Sequence, residues 1–588
     1  MSAKYREFRF KSGNIIMEYI RKFSSTEKFI FVILLLAAFV SMIIMVSSVN
    51  EHFLIEIPSR GGELREGIIG LPRTINPILA VTDADKNIGS LVYAGLTRYD
   101  GDTLVTDVAK SYTISNDGLI YDFILKDDVY FQDGIKLTAD DIKFTVEKIQ
   151  DPALKSPRRP DWADVTIKVI SSNEIQFSLK QPYGPFLTNT TVGIIPKHIW
   201  GNVSDDQFIF SEYNISPVGA GPYRYSSLSR DSGGIPTTYT LETWDRYFGD
   251  KPFISRITFV LFSDEIKALT ALDNGSIDSL PSVSAGPAAK LATDSAQSYK
   301  ILSTPMPRIF GVFLNQNHSA VLADKAVRQA LDMAVNRQTI IKTVLNGYGL
   351  SAHSPLPPGL DSGSYFVGSS TIQANNAAAD TGNIAAAQAL LEKAGWKKGV
   401  DGIYTKKVGK TATTTLAFDI YTADSSDLKQ TATLVQQSWT NLGAKVNVNI
   451  FESGDLYQNI IRTRSYDALL FGEQIGKDRD MYAFWHSSQR NAPGLNISMY
   501  TNSKADKLLE NIRSTSDDSA RTKYYAQFDQ IIQTDLPAIF LYSPDFIYAV
   551  PKSLHNITLS SITVPTDRLN SIRSWYIQTE KVWKLFTK

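Results

Sequence analysis

The chain has 588 residues, enough for two or more domains, because single hydrophobic cores stop growing near roughly 250–300 residues. Its 60 basic and 60 acidic residues cancel, so no global field draws it onto nucleic acid or an acidic surface. With no cysteine, disulfides, thiolate metal sites, cysteine nucleophiles and lipid anchors on cysteine are excluded.

The first element in chain order is FIFVILLLAAFVSMIIMVSSV, residues 29–49, which carries no charge. As a helix rising about 1.5 Å per residue it would span roughly 30 Å, one bilayer crossing. Lys4, Arg6, Arg9, Lys11, Arg21, Lys22 and Lys28 precede it, so the positive-inside rule puts residues 1–28 in the cytoplasm and everything after Asn50 outside. A cleaved signal peptide is the other reading, but the apolar run is unusually long for one and no small-x-small site follows. The expectation is a single-pass anchor in the cell membrane, a linker over 50–61, and an extracytoplasmic body, periplasmic or extracellular.

Within the body, SNDG at 115–118 signals a turn, and Leu119, Tyr121, Phe123 and Leu125 alternate as one face of a strand. YFQDGIKLTADDIKFTVEKI, residues 130–149, concentrates Asp133, Asp140 and Asp141. Local duties account for all three. Asp133 before Gly134 stabilises a turn, Thr138 and Asp141 form a capping-box pair, and Asp140 with Asp141 sits at the positive end of a helix dipole. Ile142, Val146 and Ile149 make that helix's buried stripe. In SPVGAGPYRY, residues 216–225, Gly219 and Gly221 lack the third glycine of a nucleotide fingerprint, and the segment reads as a turn entering a strand.

Further on, Val327, Ala330, Leu331, Ala334 and Val335 form a helical stripe, and Asn336 caps a second helix ended by Gly347. Residues 385–394 with Gly395, and 428–442 with Gly443, are two more glycine-stopped helices; Val446, Val448 and Ile450 then alternate as a strand. Helix followed by strand argues for α/β layering. The stretch 362–383, rich in Ser, Ala, Asn and Gly, reads as a surface insertion.

Chemistry-bearing motifs are missing. The histidines at 52, 198, 318, 353, 486 and 555 show no close metal-ligand spacing, and there is neither a G-x-S-x-G elbow nor a phosphate loop. The reading is therefore not an enzyme, with no cofactor, no metal site and no nucleic-acid partner.

An ordered set of motifs resembles a known family. TINP (74–77), AGLTRYD (94–100), DGLIYDFILKDDVYFQDGIKLTADDIKFTVE (117–147), SPVGAGPYRY (216–225), ALDNGSID (271–278), VRQALDMAVNRQTIIKTVLNGYG (327–349) and LLEKAGW (390–396) are similar, in order, to the extracytoplasmic solute-binding protein family 5 of ABC importers, the dipeptide- and oligopeptide-binding type. The resemblance implies an α/β, two-lobed periplasmic-binding-protein-like fold of type II, the large peptide-binding class with an inserted subdomain. It places lobe I at 62–100, 218–304 and 545–588, the inserted subdomain at 101–217 and lobe II at 305–544, with hinges near Thr304-Pro305 and Ser543-Pro544.

It implies ligand contacts by position as well. Val81, Thr82 and Asp83 match one main-chain wall, and the loop from Gly472 through Glu473 and Gln474 to Ser488 matches the other. Peptide-binding relatives carry an Asp in that loop for the ligand's amino group, usually after Gly-Trp. Here Glu473 replaces the Trp and Ile475-Gly476 fall near the usual Asp, leaving Asp478 or Asp480 as substitutes, with Tyr482 and Trp485 as stacking platforms.

The implied function is a membrane-tethered, monomeric binding component that captures a peptide or peptide-like solute and hands it to an ABC permease driven by separate ATPase subunits. A tethered sensor or peptide-binding chaperone using the same cleft is the alternative.

Overall fold

A computed structural model describes residues 22–294, 298–358, 380–409, 412–476, 479–515 and 517–584. The insertion read at 362–383 lies outside the described residues as far as 379. The chain divides into two units, Met1–Arg60 with Gln578–Lys588, and Gly61–Ile577.

In the first unit one helix runs Ser25–Phe53. Ser24 and Glu27 cap it reciprocally: the Ser24 N–H donates to Glu27 Oε2 at 2.8 Å and the Glu27 N–H to Ser24 Oγ at 3.3 Å. Residues Ser25–Met45 are long and apolar enough to cross a membrane, and Phe29, Leu34, Phe39 and Met45 are exposed. The stretch 50–61, expected as a linker, instead completes this helix and then forms the strand Leu54–Ser59, antiparallel to Gln578–Trp583. The pairing has a side-chain basis: Leu54 faces Trp583, Ile55 faces Val582 and Glu56 faces Lys581, apolar and opposite-charge cross-strand pairs. Phe53 stacks on Trp583 at 5.9 Å.

The second unit holds two large cores. One gathers residues between Ile309 and Tyr542. The other joins residues from Leu64 to Leu261 with Phe546, Tyr548 and Val550 and with residues to Trp575. The strand Ala538–Pro551 serves both, its first half in one core and alternate residues of its second half in the other. It runs through an eight-stranded sheet, beside Arg308–Leu314 and Tyr299–Pro305. In the same sheet Ala417–Ala423 and Lys445–Phe451 are parallel neighbours, joined by the helix Ser426–Leu442, which Gly443 stops at φ 110°. Glycine tolerates that left-handed geometry and ends helices for this reason. The other core contains a four-stranded sheet of Glu63–Ile69, Arg256–Phe262, Pro236–Thr243 and Tyr223–Arg230, and an antiparallel one over residues 109–179. This is the two-lobed α/β fold.

Local readings hold in detail. Asp141 Oδ2 accepts the Thr138 N–H at 2.9 Å, at the head of the helix Ala139–Gln150, while its Oδ1 accepts the Lys197 N–H at 2.9 Å. Asp133 Oδ1 accepts the Ile135 N–H at 3.1 Å, and Oδ2 lies 2.6 Å from His198 Nε2. The neighbouring Gln132 matters more. Its side chain donates to the carbonyls of Val92 and Tyr223 and accepts the Gly219 N–H at 3.0 Å, clasping SPVGAG to the end of the helix Asp83–Val92.

Between the cores, residues 305–306 and 543–545 lie side by side. Met306 N–H donates to the Pro544 carbonyl at 3.1 Å, and Ser543 Oγ donates to the Met306 carbonyl at 2.6 Å.

Candidate functional site

Where the two cores face each other across these segments there is a pocket of about 510 Å³. Asp83, Lys86 and Asp545 line it from one side, and Arg308, Asp427 and Gln474 from the other. Each is placed by its element. Asp83 opens the helix Asp83–Val92, and Asp427 lies in the first turn of the helix Ser426–Leu442, where a carboxylate is stabilised by the dipole. Arg308 and Gln474 are register partners at the end of an antiparallel strand pair. The Arg308 Nη2–H donates to Gln474 Oε1 at 2.8 Å, and the Gln474 amide donates in turn to the Thr563 carbonyl at 2.7 Å. Gln474 thus bridges the two cores. Phe310 and Tyr542, stacked at 5.1 Å, add an apolar wall.

The electrostatics of the pocket are uneven. Burial lowers the pKa of Arg308, opposed by the charge of Asp83. Burial raises the carboxyl of Asp545, one of whose oxygens is buried with no hydrogen-bond partner among the described residues. Burial and then Glu265 raise that of Asp427. A second pocket of about 430 Å³ adjoins the first, sharing Lys86 and Val564 in its walls and reaching Arg98, Asp107 and Gly476.

The residues expected from the sequence are only partly brought together. Asp83 and Gln474 line the pocket; Val81 is exposed outside it, and Thr82 caps the helix, its Oγ1 accepting the Asp85 N–H at 3.1 Å. Gly472 packs under the Phe310 ring, which would lie 2.7 Å from an added Cβ. Glu473 points into the interior, where burial lifts its carboxyl well above the usual range. Asp478 lies outside the described residues.

Three expectations are corrected. Asp480 is not poised for a ligand amine: its Oδ2 pairs with Arg513 at 2.6 Å and its Oδ1 accepts the Tyr482 N–H at 3.0 Å. Tyr482 has both ring faces covered, by His486 at 4.1 Å and by the Arg513 guanidinium at 4.0 Å. Trp485 is fully buried against Phe313, Tyr500 and Phe540, so it offers no stacking face. Arg308, Asp427 and Asp545 were missed. Arg308 alone left a trace, a lone charge opening the apolar run RIFGVFL.

Residues 103–494 match the family model described as bacterial extracellular solute-binding proteins, family 5 Middle. The oligopeptide-binding protein AppA of Bacillus subtilis (strain 168) is 30% identical over 536 residues, covering 88% of this chain and 92% of the relative. Its structure in complex with a nonapeptide superposes with a TM-score of 0.67 at 29% identity, over 89% of this chain and 100% of that one. NikZ of Campylobacter jejuni in complex with Ni(L-His) gives a TM-score of 0.68 at 26% identity, over 87% and 99%.

Proposed function

Because this chain belongs to family 5 of the bacterial extracellular solute-binding proteins, we propose that it captures a peptide or peptide-like solute in the pocket between its two cores and delivers it to an ABC permease powered by separate ATPase subunits. The observation that carries this reading is the pocket itself: about 510 Å³ lined from both cores, beside the hydrogen-bonded segments at 305–306 and 543–545 through which the chain passes from one core to the other. Such a connection lets two packed bodies turn about a few residues while each keeps its interior.

Solute capture needs no bond to be made or broken. Main-chain groups around Asp83 and Gln474 hold a peptide backbone without regard to its sequence, and the helix Ser25–Phe53 tethers the body, as a monomer, beside its permease at the cell membrane.

The absence of cysteine makes a direct test practical. With Ile266→Cys on the helix Glu265–Asp273, which packs on a third, smaller core that includes Ile547 and Ala549 of the shared strand, and Thr433→Cys on the helix Ser426–Leu442 of the first core, both exposed sites, spin labels on the full-length protein in detergent report the distance across the pocket. Adding a randomised tetrapeptide pool should shift the distribution to shorter distances. An unchanged distribution at saturating peptide contradicts capture by closure.

A further inference from the structure

We propose that the short ribbon made by the strands Leu54–Ser59 and Gln578–Trp583 is seated on the membrane, with the stacked rings of Phe53 and Trp583 in the headgroup layer of the bilayer that the helix Ser25–Phe53 crosses. The proposal rests on the tethering reading above. It adds a second point of lipid contact, supplied by a strand far later in the chain.

Position along the helix sets the depth. The helix continues unbroken from the membrane-crossing stretch Ser25–Met45 to Phe53. Its uncharged apolar run ends at Val49, so Phe53 stands four residues, about 6 Å, beyond that run along the axis. The headgroup layer on each side of the hydrocarbon is about 5–8 Å thick. Aromatic rings concentrate at that level, where an apolar body and a polar edge are both accommodated. Leu54 begins the strand at the very next residue, and its register partner is Trp583. The pairing therefore brings the indole to the depth of Phe53.

The polarity of the ribbon follows the same gradient. The two pairs nearest the helix are apolar, Leu54 with Trp583 and Ile55 with Val582. The third is Glu56 with Lys581, and Glu580, Thr579 and Gln578 keep the later strand polar beyond it. At the apolar end Phe53 and Trp583, stacked at 5.9 Å, remain 49% and 44% exposed. Apart from a few flanking residues, the described part of this unit is the helix and the ribbon, and a two-stranded ribbon by itself is only marginally stable in water. Half-bare rings at the end of a membrane span gain their remaining cover from lipid, and the headgroups offer acceptors for the indole N–H.

Because the chain has no cysteine, single cysteines carrying a fluorophore can report depth on the full-length protein in vesicles of phosphatidylcholine and phosphatidylglycerol, read by quenching from nitroxides on the lipid headgroup or in mid-chain. Three exposed sites serve: Ile43→Cys in the helix, Lys584→Cys beside Trp583, and Thr579→Cys further along the strand. The Ile43 label should be quenched by the mid-chain nitroxide, which establishes the crossing. The headgroup nitroxide should quench the Lys584 label at least about twofold more than the Thr579 label, since each residue of strand adds about 3.3 Å. Trp583→Thr, which keeps a strand-forming residue but removes the ring, should abolish that difference, and Trp583→Tyr should keep most of it. Equal quenching at Lys584 and Thr579 without the Trp583 substitutions, or a difference that survives Trp583→Thr, overturns the seat while the anchor stands, and leaves the rings to a protein partner or to water. An Ile43 label that is not quenched removes the anchor itself, and the seat with it.

Discussion

Glu66→Ala is expected to cost about 3–5 kcal/mol of folding stability, the usual penalty for removing one partner of a buried ion pair. Glu66 and Arg568 are both fully buried. The carboxylate accepts from the Arg568 guanidinium and the Tyr548 hydroxyl, and Arg568 also donates to Asn87 Oδ1 at 2.9 Å. With Glu66 gone, a guanidinium stays in the core with no counter-charge, and the phenol of Tyr548, held neutral by burial and then by Glu66, loses its acceptor. The cluster ties the strand Glu63–Ile69 to the shared strand Ala538–Pro551 and to the turn of 3-10 helix Pro565–Ser574, so the loss falls on the whole body. Urea unfolding measures it. A double variant, Glu66→Leu with Arg568→Met, should cost far less than the single one, since replacing both charges leaves none stranded. A penalty below about 1 kcal/mol for Glu66→Ala would show that water or relaxation rescues the arginine.

The second large effect separates two glycines close in space. Gly219→Ala should destabilise by about 3 kcal/mol, the upper end for over-packing, because its new Cβ would stand 2.1 Å from the Val92 carbonyl oxygen and 2.8 Å from the carbonyl carbon. Backbone, unlike a side-chain end, has nowhere to turn. Gly221 is pressed equally hard, 2.5 Å from the Leu91 oxygen, and its N–H donates to the Val92 carbonyl at 2.7 Å. Gly89 lies within the helix Asp83–Val92 and an added Cβ there meets nothing within 4 Å. Gly89→Ala should therefore stabilise by up to about 1 kcal/mol through helix propensity alone. Thermal unfolding of the two variants should move in opposite directions. A neutral Gly219→Ala would mean the clasp made by Gln132 is loose.

These glycines show what the sequence discloses and what it withholds. That SPVGAG is a turn leading into a strand could be read from its neighbours, as could the cap at Thr138 and Asp141, the glycine stop at Gly443 and the Asn336 cap, whose Oδ1 accepts the Thr339 N–H at 2.8 Å. Each is encoded by residues a few positions apart. The partner that holds the turn, Gln132, lies 87 residues from Gly219, and Glu66 meets Arg568 across 502; no local pattern announces either.

The pocket suffered most from this. Tyr482 and Trp485 stand in the loop that matches the ligand-facing one, but whether an aromatic ring faces a solute or a core depends on what other segments cover it. Here Arg513 and His486 cover one, and Phe313, Tyr500 and Phe540 enclose the other. Asp480 was misjudged for the same reason, since its partner Arg513 comes from a different element, the helix Ser503–Ser514. Conversely, Asp427 and Asp545 look unremarkable in sequence and Arg308 shows only as a lone charge before an apolar run; the three come together because the strand pair, a helix start and the shared strand converge on one pocket.

Capture of an intact solute is the central claim, and native mass spectrometry of the full-length protein incubated with the randomised tetrapeptide pool tests it most directly. The account predicts a complex of one peptide per chain, with the released peptides unchanged in mass after prolonged incubation. A protein that stays unliganded at millimolar peptide, or a pool converted to shorter fragments, would contradict it.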